Sequence, residues 1–150
     1  MRSVKDILKK KGGEAVTMAP TDTVYAMLEL MAKLNIGSVL VMDGKELVGV
    51  VSERDYARNV VLQGRASKDA QLHEIMAGPV VVVSLHDRMN RCMGLMTQHR
   101  VRHLPVVEDG KVCGVVSIGD VVKEIMMEQE SLIADLEGYI GPHPETHVDH

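Results

Sequence analysis

The sequence contains nearly the same seven-residue phrase twice, and this repeat constrains the fold more than any other feature. Residues 49–55 read GVVSERD and residues 114–120 read GVVSIGD, so the second phrase follows the first by 65 positions, 114 minus 49. The same shift, without a gap, pairs Val16 with Val81. The chain is therefore an internal tandem repeat. A copy of about 60 residues buries only about 60% of its unfolded surface, so we expect the two copies to pack on each other.

Apolar residues change their spacing in the same order in both copies. In the first copy, a short extended stretch at residues 16–18 precedes helical spacing over residues 24–34, with a helix N-cap predicted at Thr21 or Asp22. Two β-branched runs on either side of residues 43–45 then predict a hairpin.

A second helix closes the first copy, and the second copy repeats the pattern. Residues 53–64 predict this helix, which should stop at Gly64. In the second copy, residues 80–84 predict a strand, residues 89–96 a helix face and residues 103–117 a hairpin. Each copy is therefore predicted to have the order β-α-β-β-α, and the predicted fold class is α/β.

We divide the chain at the edges of the repeat. The predicted parts are a first copy with an N-terminal helix (1–66), a linker with a short helical turn (67–79), a second copy with a long C-terminal helix (80–138) and a flexible tail (139–150). The last helix continues its apolar stripe to Ile140, and about 20 residues at 1.5 Å each exceed what one copy can cover. The stripe predicts a partner surface, most simply in a second copy of the chain. A helix folded back over its own repeat is the alternative.

Composition excludes several classes of function. The chain is 45% hydrophobic and 25% charged, as in ordinary globular proteins, and no apolar run approaches the roughly 18 residues of a membrane span. The N-terminal sequence lacks the apolar core of a secretory signal, so we expect a cytoplasmic protein. A net charge of −4 and the absence of Phe and Trp argue against a nucleic-acid partner.

Metal and nucleophile chemistry are not indicated. His99 and His103 are four residues apart, but His103 falls at a predicted strand start, so the two do not share a helix face. Cys92 and Cys113 form no C-x-x-C pair, and Gly-rich phosphate loops of the Walker or dinucleotide type are absent from the sequence. We predict no metal site and no catalytic residue.

The repeated phrase itself has two interpretations. Ser52 and Ser117 end apolar strands, and Asp55 and Asp120 follow three residues later, which is the pattern of a helix-capping motif. The same turn also exposes backbone N–H groups to a phosphate, and an aspartate beside it can accept hydrogen bonds from both hydroxyls of a ribose. Duplication would copy a cap as faithfully as a binding site, so both interpretations stay open.

Taken together, the doubled β-α-β-β-α order, the two phrases and the stretch RVRHLPVVEDGKVCGVVS (residues 100–117) resemble a tandem pair of CBS domains, the modules named after cystathionine beta-synthase. The likeness spans about residues 4–138, so the chain is similar to the stand-alone CBS-pair proteins of bacteria. This resemblance implies two α/β units related by pseudo-twofold symmetry, a homodimer, and regulation of an unidentified protein partner without catalysis. It implies no required cofactor. It also implies clefts for an adenine nucleotide: AMP first, with ATP, ADP, NAD(H) or S-adenosylmethionine as alternatives.

The family's ligand contacts map onto the repeated phrase. The serine and the aspartate of this motif contact phosphate and ribose in the family, which corresponds to Ser52 and Asp55 in the first copy and to Ser117 and Asp120 in the second. Arg54, next to the first turn, could add a charge-assisted hydrogen bond to phosphate.

The second copy differs from the first just before its hairpin. It carries Arg100, Arg102, His103 and Pro105 where the first copy has uncharged residues. We expect Arg102 to contact phosphate, and His103 is as readily a ligand contact as part of a solvated patch. Positive charge is therefore expected in both clefts, from different positions, and one cleft should bind better than the other.

Aliphatic side chains would have to hold the adenine, because no aromatic one is available. For most candidates, core packing is the alternative. The candidates are Thr17, Met18, Ile36 and Val39 around the first motif, and Val82, Val83, Val101 and Leu104 around the second. Two other functions compete with a nucleotide sensor: a constitutive dimeric scaffold whose clefts bind nothing, and a small enzyme that acts on the nucleotide.

Overall fold

The computed structural model describes residues 2–12, 15–76 and 80–140. Elements of the first half are α1 (Val4–Lys11), β1 (Thr17–Met18), α2 (Val24–Leu34), β2 (Ser38–Asp43), β3 (Glu46–Ser52), α3 (Glu53–Tyr56) and a π-helical turn (Ala57–Val61). Elements of the second half are α4 (Leu72–Ile75), α5 (Met89–His99), β4 (His103–Glu108), β5 (Lys111–Ser117) and α6 (Ile118–Ile140).

Each copy is built on an antiparallel hairpin. In the first copy β2 pairs with β3, and the parallel strand β1 extends this sheet, with Thr17 opposite Leu40. In the second copy β4 pairs with β5, and the strand predicted over residues 80–84 is reduced to one parallel bridge between Val83 and Val106. That strand was predicted too long: its hydrogen bonds with the sheet go through Val83 alone.

Helix α2 begins later than predicted. Its N-cap is Thr23, whose Oγ1 accepts a hydrogen bond from the Ala26 N–H at 3.1 Å. The prediction of an N-cap at Thr21 or Asp22 was wrong. The Asp22 carboxylate instead accepts a hydrogen bond from the Ala19 N–H at 2.8 Å and so caps the preceding turn.

The helix predicted over residues 53–64 is α-helical only in its first turn. From Ala57 the backbone opens to a π-helical turn, in which the Leu62 N–H donates to the Ala57 carbonyl at 3.0 Å. The helical segment ends at Val61, and Gly64 follows with a φ of 68°. A π-turn of this kind is frequent near functional sites.

The hydrophobic cores reveal an exchange of helices between the copies. Val4 and Ile7 of α1 are buried in the core of the second copy, whereas Leu72 and Ile75 of α4 complete the core of the first. The N-terminal helix, which the sequence grouped with the first copy, therefore packs on the second.

This exchange explains the glycine of the repeated phrase. A Cβ on Gly114 would lie 2.9 Å from Cδ2 of Leu8 in α1, and a Cβ on Gly49 would collide with Met76 after α4. Only glycine lets each helix approach its hairpin this closely.

Helix α6 extends past its own core, as the sequence predicted. It has 23 residues, about 35 Å at 1.5 Å each. Beyond Ile125 its large apolar side chains are exposed: Met126 by 55%, Leu132 by 58%, Ile133 by 55% and Leu136 by 53%. Of the predicted tail, residues 139 and 140 belong to α6, and the rest lies outside the described residues. No helix in the described ranges is both long and apolar enough to cross a bilayer.

Candidate functional site

Both repeated phrases form helix caps. The Ser52 N–H and hydroxyl donate to Asp55 Oδ2 at 2.8 and 3.0 Å, and the Asp55 N–H donates back to Ser52 Oγ at 3.3 Å. In the second copy the Ser117 N–H donates to Asp120 Oδ2 at 2.9 Å, and the Asp120 N–H donates to Ser117 Oγ at 3.2 Å. The capping interpretation therefore holds for both copies.

The helix cap engages only one of the two oxygens of the Asp55 carboxylate. Within the described part of the chain, the hydrogen bonds that the Asp55 carboxylate accepts all end on Oδ2. Its other oxygen, Oδ1, is fixed in position by the cap and still has lone pairs to accept hydrogen bonds. The cap and a ligand contact are compatible at this position.

Two clefts of about 390 Å³ each lie where the copies meet. Cleft 1 combines the motif of the first copy with residues 99–103 of the second. Cleft 2 combines the motif of the second copy with residues 35–38 of the first and with the end of α1. Each motif therefore faces the other copy's loop.

The crossed arrangement reassigns several predicted residues. Val101, which the sequence placed around the second motif, lies in cleft 1, and Ile36, placed around the first motif, lies in cleft 2. Both placements were wrong, because each loop crosses to the opposite motif. The predicted residues in cleft 1 are Ser52, Arg54, Asp55, Val101, Arg102 and His103, and those in cleft 2 are Ile36, His103, Ser117 and Asp120.

The other candidates line neither cleft. Val39, Val83 and Leu104 are at most 2% exposed and belong to the cores or their strands. Core packing, the alternative given for such residues, accounts for them. Also outside both clefts are Thr17, Met18, Val82 and Pro105.

Cleft 1 carries most of the positive charge, because Arg102 lies there with Arg54 rather than beside the second motif, whereas cleft 2 has Lys11. Cleft 1 is lined by the arginines at positions 54, 58, 100 and 102, against the two carboxylates Glu53 and Asp55. None of the four guanidinium groups forms an ion pair within residues 2–12, 15–76 and 80–140. Arg58 was missed, although its position one turn after Arg54 was a readable signal.

His103 begins β4 and contributes to both clefts. Burial and the charge of Lys11 lower the pKa of its imidazole, against the opposing effect of Asp120 and Asp55. The neutral form is therefore favoured near neutral pH. His99 ends α5, so the two histidines share no helix, as predicted.

Cleft 2 is lined by a lysine that bonds its motif aspartate. Lys11 Nζ donates to Asp120 Oδ2 at 2.9 Å and to the Val115 carbonyl at 3.1 Å. Burial raises the pKa of Asp120, but the Ser117 N–H and Lys11 outweigh that effect and leave the pKa below its usual value. Asp120 is therefore an ionised carboxylate already paired with a cation.

Metal ligands and activated thiols do not appear in the part of the chain that the structure describes. No group of three or more His, Cys, Asp or Glu side chains is placed there to hold a metal ion. Burial, together with Asp87, raises the pKa of the Cys92 thiol to about 11, so its thiolate is scarce at neutral pH.

Comparison with known proteins identifies the architecture. The CBS domain model matches residues 4–62 and 72–127. The chain is 35% identical over 147 residues to CBS domain-containing protein CBSX3, mitochondrial, of Arabidopsis thaliana, covering 92% of this chain and 71% of that protein. A solved protein with CBS domains from Burkholderia ambifaria is 45% identical with a TM-score of 0.79, covering 85% of this chain and 96% of that one.

A more distant structure shares the fold. The CBS domain pair of protein MJ0100, solved with 5′-methylthioadenosine and S-adenosyl-L-methionine, is 22% identical with a TM-score of 0.75 and covers 85% of this chain and 98% of that one. The predicted α/β fold of two β-α-β-β-α units is confirmed.

Proposed function

The chain belongs to the CBS domain family, and on that premise we propose that it is a regulatory module that binds an adenine nucleotide in cleft 1. One observation carries the proposal: the Ser52–Asp55 turn lines a cleft, built from both copies, together with four arginines that form no ion pair among the described residues. The MJ0100 pair supports the ligand class, because its two ligands are both adenosine compounds.

The ribose would bind at Asp55. Its Oδ2 is held by the Ser52 cap, and Oδ1 is free to accept hydrogen bonds from ribose hydroxyls. Hydrogen bonds to an ionised acceptor are roughly twice as strong as neutral ones. The carboxylate is thus oriented before the ligand arrives.

The phosphates would bind the arginine cluster. Four guanidinium groups against two carboxylates leave a positive cleft, and arginine binds phosphate oxygens through two parallel hydrogen bonds. AMP, the first expectation from the family resemblance, has a single phosphate and would leave some of the four guanidinium groups without a phosphate partner. We propose ATP, ADP or NAD(H) ahead of AMP, and all of them ahead of S-adenosylmethionine, whose sulfonium group is a cation.

The adenine would lie on aliphatic surface. Val50, Val80, Val81 and Val101 line the same cleft and offer apolar contacts without an aromatic ring. Such pockets, mostly apolar with a few placed polar groups, are usual for small-molecule ligands.

Regulation would follow from the crossed arrangement. A ligand in cleft 1 touches the motif of the first copy and the loop of the second, so it favours one relative orientation of the copies in proportion to its differential affinity. We propose a homodimer in which the exposed stripe of α6 packs on its counterpart, so that occupancy reaches the assembly or a protein partner.

Calorimetric titration of nucleotide-free protein tests the proposal. ATP, ADP, NADH, AMP and S-adenosylmethionine are titrated separately, and each mixture is then analysed for turnover products. Strong binding of the ligands with more than one phosphate, without turnover, supports a sensor. No heat and no competition from any of them would favour the scaffold, and product formation would favour the enzyme.

A further inference from the structure

The side chain of Lys11 lines cleft 2 and bonds the carboxylate of Asp120, the counterpart of the proposed ribose acceptor Asp55. Its Nζ bonds Asp120 Oδ2 and the Val115 carbonyl, partners 109 and 104 residues away in the sequence. The contact exists because Val4 and Ile7 anchor α1 in the core of the second copy. Cleft 2 therefore contains a cation that belongs to the protein and is held in place by α1.

The two motif aspartates differ in what surrounds the carboxylate that would accept a ribose. In cleft 1, the Asp55 carboxylate bonds only its own cap among the described residues, which leaves Oδ1 open to ribose hydroxyls. In cleft 2, Lys11 is paired with the Asp120 carboxylate, so a ribose hydroxyl would compete with a charged donor for a side chain that is only 23% exposed. Removing the cation would leave a largely desolvated carboxylate.

Lys11 reaches cleft 2 because α1 is longer than its equivalent helix α4. Helices α1 and α4 pack over the equivalent glycines Gly114 and Gly49, but α1 has eight residues and α4 has four. The additional turn of α1 carries Lys11, and a lysine in the last turn is favoured by the helix dipole.

We infer that Lys11 is a specificity residue that keeps ribose out of cleft 2, so that each chain binds one nucleoside ligand, in cleft 1. This inference rests on the proposed function, because it takes Asp55 and Asp120 as ribose acceptors. The opposite role is also chemically defined: a lysine that turned toward a bound ligand would assist binding in cleft 2.

Adenosine distinguishes the two roles, because it has the ribose and the base without the phosphates that the arginines of cleft 1 attract. It is titrated into the nucleotide-free full chain, into Lys11→Met and into Lys9→Met, a matched change in the same turn of α1. Methionine keeps the length of the apolar stem, and Lys9 lines neither cleft. Circular dichroism and urea unfolding check that each variant is folded.

We expect one site per chain in the unchanged protein and in Lys9→Met, and two in Lys11→Met, because the affinity of cleft 2 rises about tenfold or more. The double variant Lys11→Met, Asp120→Ala should return to one site. Two sites in the unchanged chain, no gain in Lys11→Met, or a loss of binding in Lys11→Met would each overturn the inference. The first two of these leave the proposed function in place, whereas a loss of binding in Lys11→Met would move the ligand to cleft 2. Where adenosine gives no heat in any of the proteins, the same proteins are titrated with ATP and the sites are counted in the same way. Absence of binding of both ligands in every protein overturns the proposed function, and the inference falls with it.

Discussion

His103 lies against Gly37 across the boundary between the copies, with its Nε2 3.7 Å from the position that a Cβ would take on the glycine. Both residues line both clefts, so the pair forms the wall between them. A ligand in either cleft therefore meets the same imidazole.

The protonation of this imidazole should make stability depend on pH. Burial and the charge of Lys11 hold the pKa of His103 in the folded chain below its ordinary value of 6.5, so the neutral form is favoured in the folded state. Its contribution is fully present above the unfolded pKa and is lost as pH falls through that value toward the folded one. We expect the free energy of unfolding, measured with urea, to fall less between pH 7.5 and pH 5.0 in His103→Asn than in the unchanged chain. A loss in His103→Asn as large as that in the unchanged chain would refute this role of the imidazole.

Substitution of Asp55 should weaken nucleotide binding. Asp55→Ala removes the proposed ribose acceptor, and the loss of a hydrogen bond to a charged group corresponds to about tenfold or more in affinity. The lost cap should also lower the free energy of unfolding by about 1 kcal/mol. Calorimetry with ATP measures the first effect, with Asp43→Ala in the exposed turn of the first hairpin as the control. Equal affinities of the two variants would refute the ribose assignment.

The arginines of cleft 1 should act on phosphate rather than on the nucleoside. Arg54→Gln and Arg102→Gln should each reduce ATP affinity about tenfold while changing adenosine affinity little. Arg91→Gln is the matched control, because Arg91 lies outside both clefts and pairs with Asp87 at 3.5 Å. Parallel losses for ATP and adenosine would show that the arginines only support the shape of the cleft.

The apolar stripe of α6 should hold the dimer together. Leu132→Asp places a charge on a side chain that is 58% exposed in the single chain, so it should cost little stability there but break a packed interface. Sedimentation should show a dimer for the unchanged chain and for Ser131→Asp, and monomers for Leu132→Asp. A dimer in all three would remove this face from the interface.

The glycine of the second phrase should be sensitive to a single methyl group. Gly114→Ala brings a Cβ to 2.9 Å from Leu8, so the free energy of unfolding should fall by about 1–3 kcal/mol. Leu8→Ala in the same chain should recover part of that loss. Gly94→Ala, inside α5 with no atom within 4 Å of its Cβ position, should instead stabilise by up to about 1 kcal/mol.

The sequence predicted the elements well because each copy repeats a local pattern. Hairpins, the long last helix and the strand-to-helix position of Ser52 and Ser117 follow from residues close together in the chain. What it could not predict is contact between the copies. A repeat pairs Arg102 with Gly37, but it does not say that Arg102 faces Ser52 rather than Ser117.

Two of the missed features depend on that crossing. Lys11 looked like one of several surface lysines, and only the packing of α1 on the second copy brings it to Asp120. Arg100 and Arg58 come from different copies, so no stretch of sequence shows that they line one cleft. The cytoplasmic location stays a prediction.

Helix α1 also has a consequence for how the chain folds as it is synthesised. Val4 and Ile7 leave the ribosome before either hairpin, but their core partner Val116 is translated more than 100 residues later. At about 5–20 residues per second, this helix waits roughly 5 to 20 seconds for its binding surface. During that interval the first copy can close its own core with α4, while the second cannot complete its core without a helix made before both copies' hairpins. A cut between the copies would separate the second copy from part of its own interior.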